Sequence, residues 1–180
     1  MSSDELQELQ EHAEHARQTG MARVSLTMAV LAVLVAAVAL LGHRTSTEEL
    51  VLQNKITDQW AYFQAKSIRR HADQMVVDLT SVLTAKDAEQ IAKVREKYQA
   101  EAERYRDDQN DLEAEAKKLE REAEKEHKRV DRYDLGEVFL EIALVVTSIT
   151  LLSGRHAFWY AGIVIGTVGM FIAASGLLIH

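Results

Sequence analysis

The chain has 180 residues, 47% of them hydrophobic and 27% charged, with 21 Lys+Arg against 28 Asp+Glu, no cysteine and no proline. The acidic balance argues against nucleic acid as a partner, and the missing cysteine excludes disulfides, thiolate metal sites and cysteine nucleophiles. The missing proline favours long unbroken helices, and the mean hydropathy of -0.16 averages charge-free runs with charged stretches that the chain keeps apart.

Residues 1–23 predict a short amphipathic helix. Ser2-Ser-Asp-Glu5 has the form of a capping box, and Gly20 suits the position after a helix end. Leu6, Leu9, Ala13 and Ala16 make a thin apolar stripe without the basic face of a lipid-surface anchor. His12 and His15, with Glu8 and Glu11 one turn back, have a metal-ligand spacing, but one helix supplies too few ligands and no metal is expected.

Val24–Gly42 is a charge-free run of 19 residues. As a helix it covers about 28 Å, close to the hydrocarbon thickness of a bilayer. A signal peptide is the alternative reading, but an acidic stretch precedes the run and no small-x-small cleavage site follows it.

Residues 43–134 carry most of the charge and predict an antiparallel, coiled-coil-like helical hairpin with its turn near 82–86. In the second arm Ile91, Tyr98, Tyr105, Leu112 and Leu119 recur every seven positions, with Ala102, Ala116, Ala123 and Val130 between them. Alternating steps of four and three mark a helix–helix seam, interrupted here by Gln109 and Glu126. The first arm offers Leu52, Ile56, Trp60 and Phe63, then a five-residue slip to Ile68, Ala72, Met75, Leu79 and Val82. Trp60, Tyr62 and Phe63 read as hairpin core, and Thr84-Ala-Lys-Asp87 as the cap that opens the second arm. A solvated single helix held by i,i+4 charge pairs is the alternative. Gly42 with Thr45–Glu48, and Asp134–Glu137, predict a break or bend at each end of the segment, with continuous helices through both joints as the alternative.

Residues 135–152 predict a second span and residues 157–179 a third, entered through Phe158-Trp-Tyr160. Only Ser153–His156 separates them, which implies a transmembrane hairpin. Nine Lys and Arg residues near the span ends on the 43–134 side, against Arg17, Arg23 and Arg155 opposite, place the hairpin in the cytoplasm and the N-terminus outside.

Glu137 and Glu141 are the strongest functional candidates, because at i,i+4 they share one face and an acid within hydrocarbon is costly unless it meets protein, water or a cation. Glu137 alternatively caps a helix starting at Asp134, and Glu141 alternatively bonds Ser25, Thr27 or Thr147, or a subunit. Gly162, Gly166, Gly169 and Gly176, with Ala173, form a close-packing face on the third span. It packs either within the chain, against Ala29, Ala32 and Ala36, or between subunits. Three spans bury little surface in a monomer, which favours a homo-oligomer.

The runs Thr47–Lys55, Asp58–Lys66, Ile68–His71 and Tyr133–Ala143, with the opening Glu-His-Ala-Glu-His pattern and the Phe158-Trp-Tyr entrance, resemble a bacterial family of small membrane proteins, domain of unknown function 4337. The resemblance implies a bacterial inner-membrane location and brings no reaction, substrate or cofactor.

Without a phosphate loop, a nucleophile beside a base or a dinucleotide fingerprint, the expectation is a non-enzymatic protein without cofactor or nucleic acid, whose partners are membrane lipids and further copies of itself. It would act as a scaffold or docking module. The alternative is a channel or transport component using Glu137 and Glu141. No particular protein partner is legible.

Overall fold

The computed structural model describes residues 3–82 and 88–179, with side chains from residue 20 onward. The expected cap at Ser2–Glu5, the His12 and His15 pair with Glu8 and Glu11, and the Thr84–Asp87 box lie outside the described residues or side chains. Helix α1 runs Ser3–Val82, α2 Ala88–Ser153 and α3 His156–Gly176. There is no strand among the described residues. All three helices are long and apolar enough to cross a membrane.

The breaks expected at Gly20, at Gly42–Glu48 and at Asp134–Glu137 do not occur, because helix continues through each. Two of the glycines involved serve packing. At Gly42 a β-carbon would lie 3.5 Å from Asp134 Oδ1 and from Tyr133 Cβ, and at Gly136 it would lie 2.7 Å from Ala173 Cβ. Thr47 Oγ1 donates back to the His43 carbonyl at 2.9 Å, so the expected cap residue satisfies itself inside the helix. Glu137 therefore caps nothing.

The chain forms two packed units, one from residues 1–47 with 125–180 and the other from residues 48–124. In the first, Leu31, Val38, Tyr133, Leu140, Ala143 and Ala173 make the core. Its closest contact is between α2 and α3. A β-carbon on Gly162 would meet Thr147 and Ala143, on Gly166 Ala143, on Gly169 Phe139 and Leu140, and on Gly176 Tyr133. As residue numbers rise on α3 they fall on α2, so the two run antiparallel with small residues in steps of four and three. The α3 glycine face thus packs within the chain, but against α2. Ala29, Ala32 and Ala36 are exposed, and α1 reaches the face through Leu31 at Gly166. Trp159 Nε1 donates to Thr27 Oγ1 at 3.1 Å, tying α3 to α1. The turn from α2 to α3 passes through Gly154 at φ +67, a left-handed conformation that glycine adopts without strain.

In the second unit α1 and α2 pair antiparallel. Gln59 bonds Glu115, Lys66 bonds Asp108 and Arg95 bonds the Thr80 carbonyl. On α2, Ala102 and Ala116 are buried and Tyr98, Tyr105, Leu112 and Leu119 half-buried, all on the face turned to α1. On α1 the slip after Phe63 is absent. The inward series runs Leu52, Ile56, Gln59, Phe63, Lys66, Arg70, Asp73, Val77 and Thr80 in unbroken steps of four and three. The residues read from the sequence as core beyond Phe63 lie on the other side. Ile68, Met75, Leu79 and Val82 are 69%, 70%, 56% and 76% exposed, Ala72 is exposed, and so is Tyr62. The physical reason is that an unbroken 3.5-residue period keeps one face of α1 on α2, whereas a five-residue slip would turn that face away, and Lys66 and Arg70, brought inward, find partners on α2.

Candidate functional site

Two arrangements of polar groups stand out, one in each unit. In the first unit, Glu137 and Glu141 occupy the α2 face turned away from the glycine seam. Glu137 is half-buried and Glu141 exposed, with Asp134 exposed one turn before them. Around Glu141 the α2 surface is apolar, since Val138, Ile142 and Val145 are also exposed. The hydroxyls that were candidate partners are engaged elsewhere. Thr147 Oγ1 donates to the Ala143 carbonyl at 2.7 Å, and Thr27 Oγ1 donates to Arg23 while accepting from Trp159. Ser25 is exposed and makes no bond to Glu141. Two carboxylates at i,i+4 repel when both are ionised, so this face favours a cation or a hydrogen-bonding neighbour.

Gly162, Gly166, Gly169 and Gly176 are all buried by α2, with a little of α1. Their role is geometric. Backbone-close packing of α2 on α3 sets which α2 face is left outside, and that is the face with Glu141.

In the second unit the inward polar series of α1 lies against α2 as a layer of separate pairs. Lys66 Nζ lies 2.6 Å from Asp108 Oδ2 and 4.9 Å from the Tyr105 ring centre, with its side chain 16% exposed. The Asp108 hydrogen bond, partly opposed by desolvation, holds the lysine pKa above its ordinary value. Arg70 Nη1 donates to Gln109 Oε1 at 3.0 Å, and Trp60 Nε1 to Glu120 Oε1 at 2.9 Å. Asp73 Oδ2 and Arg95 Nε are buried without a hydrogen-bond partner. A polar hollow of about 180 Å³ lies between the arms at Arg70, Gln74, Gln99 and Arg106. Such a layer specifies alignment, since sliding the arms by one turn would strand each charge, and it contributes little net stability. Lys66, Arg70 and Asp73 escape a sequence pattern that keeps to apolar residues across a five-residue slip after Phe63. The unbroken continuation of the Leu52–Phe63 spacing was the signal that marks them.

Groups of three or more His, Cys, Asp or Glu side chains able to hold a metal are absent among the described residues. A third feature is a cavity of about 140 Å³ lined by Gly20, Val24, Thr150 and His156, into which no partner for the buried Thr150 hydroxyl projects among the described residues.

These features define an all-α protein with three helices able to cross a membrane, a small-residue contact between two of them, and charged helix pairing in its second unit. The chain matches Domain of unknown function (DUF4337) over residues 20–179, and it belongs to that family. Comparison with curated proteins and with solved structures gave no match.

Proposed function

We propose that the protein is a self-assembling, non-enzymatic scaffold of the bacterial inner membrane. It crosses the bilayer at residues 24–42, 135–152 and 157–179, the last two as a hairpin. The arms of residues 43–134 form a coiled-coil-like docking hairpin in the cytoplasm, and the N-terminus lies outside. The observation that carries the reading is the outward position of Glu141 among apolar α2 side chains. An acidic side chain near the middle of a span costs about 2.5–3.5 kcal/mol against lipid on insertion scales, and a neighbouring copy that accepts or donates a hydrogen bond removes that cost. Native mass spectrometry of the detergent-extracted chain tests it. A defined oligomer is expected, weakened by Glu141→Arg; a monomer at every protein concentration refutes self-assembly.

The same carboxylates favour a second reading, in which Glu137 and Glu141 of several copies line a path for protons or cations. Reconstituted protein would then carry flux that Glu141→Gln abolishes while assembly persists. Absence of flux from the unmodified protein under an imposed gradient refutes it.

A further inference from the structure

The distal part of α1 carries two seams of equal period. One faces α2 and is polar at Lys66, Arg70, Asp73 and Thr80. The other, Ala61, Ala65, Ile68, Ala72, Met75, Leu79 and Val82, also advances in steps of four and three, is apolar at every position and is exposed throughout. Burying charge while exposing a complete apolar seam is an unfavourable choice for an isolated pair of helices. It becomes favourable when the outer seam is also covered, and a 3.5-residue period is the spacing that another helix covers best.

What covers it is limited by the chemistry of the rest of the unit. Along α2 within residues 88–124, Val94 is the sole exposed large hydrophobic side chain among the described residues, so the outer face of a neighbour's α2 offers no apolar complement. The rim of the stripe, with Gln64, Arg69, His71 and Asp78, mixes charges and lacks the cationic face of a helix that lies on lipid. The same stripe on a second copy is the surface that fits. Ile68, Met75, Leu79 and Val82 expose roughly 500 Å² per copy, so with the intervening alanines two copies reach the ~1,000 Å² that a specific interface needs. Confinement to one bilayer raises the effective concentration further.

We propose that the Ala61–Val82 stripe is a self-association seam on which a second copy of the chain lays its own α1 stripe in parallel. A parallel pairing brings Met75 against Met75 and Val82 against Val82. Alanines at three of the seven seam positions let the helices approach closely. Helix α1 then serves two partners at once, its polar seam holding α2 of its own chain and its apolar seam holding α1 of the neighbour. The inference rests on the self-assembly reading and names a surface for it that is separate from Glu141.

Single cysteines in the full-length cysteine-free chain, oxidised in membranes, test it. Met75→Cys and Val82→Cys are expected to form homodisulfides, and Gln99→Cys, exposed on α2, is not. Adding Ile68→Glu and Leu79→Glu should cut crosslinking at Val82→Cys at least tenfold while circular dichroism shows unchanged helix content. Absent crosslinks at Met75 and Val82 in a chain that native mass spectrometry still finds oligomeric would overturn the seam and leave self-assembly standing. A monomer would overturn both. Crosslinks between Ile68→Cys and Val82→Cys alone would overturn the parallel arrangement. Shielding of Met75→Cys from a water-soluble maleimide by vesicles, without any crosslink, would assign the stripe to lipid and overturn the proposal.

Discussion

Adding one methyl group at Gly136 measures the α2–α3 contact directly. Its β-carbon would lie 2.7 Å from Ala173 Cβ, 2.9 Å from the Ala173 nitrogen and 2.9 Å from the Gly169 carbonyl oxygen. Ordinary carbon–carbon contacts are about 3.5–4.0 Å, so the helices must part locally by about 1 Å, which forfeits a quarter to a half of each neighbouring dispersion contact. Two of the obstructing atoms are backbone, so no rotamer change relieves them. Overpacking of this kind costs about 1–3 kcal/mol, and alanine's better helix propensity returns about 1 kcal/mol. Gly136→Ala is therefore expected to lose up to about 2 kcal/mol net. Gly166→Ala is the matched control. There the nearest atom is Leu31 Cδ2 at 2.8 Å, the far end of a flexible side chain that can turn aside, and the propensity gain makes the change neutral or mildly stabilising. Reversible unfolding of the full chain in mixed micelles, by titrating in a denaturing detergent, reads the difference. Gly136→Ala as stable as Gly166→Ala would refute backbone-close packing of α2 on α3.

Three further outcomes are expected. Because Asp108 raises the Lys66 pKa on folding, that pair's contribution is fully present below the unfolded lysine value of about 10.4 and fades as pH rises through the higher folded value; the melting advantage of the unmodified chain over Lys66→Met should shrink as pH rises above about 10.4, and a constant advantage contradicts the pairing. Thr150→Val removes a buried hydroxyl that has no partner and should stabilise by about 1 kcal/mol in thermal melts, whereas a loss would show that the adjoining cavity holds water bonded to Thr150. Gly154→Ala meets no atom within 4 Å but must hold φ near +67, so it should cost about 1–2 kcal/mol, with Gly154→Asn cheaper; equal stability of all three would argue for a different turn.

The second-arm seam was legible because its apolar residues and its 3.5-residue period coincide. From Ile91 to Leu119 the large hydrophobic residues, Val94 excepted, are turned inward. On the first arm the two signals separate after Phe63, where hydrophobicity follows Ile68, Met75 and Leu79 while the period follows Lys66, Arg70 and Asp73. The glycines were ambiguous for a similar reason. Gly42 and Gly136 have the composition of helix ends, and only the approach of Tyr133, Asp134 and Ala173 reveals them as contact points inside continuous helices.

By itself, then, the sequence determined what depends on short-range composition. Its apolar runs set the three segments able to cross a membrane, its lack of proline permitted helices as long as α1 and α2, and the Glu137 and Glu141 spacing put both acids on one helix face. The tertiary structure decided which way each face turns. Direction is a relation between helices, fixed by whether a partner fills the space that a glycine leaves open, as α2 does at Gly162 and Gly169, or offers a charge of the right sign, as Asp108 does for Lys66. That is why Glu141 and the Ile68–Val82 stripe face outward although neither one's own residues specify it.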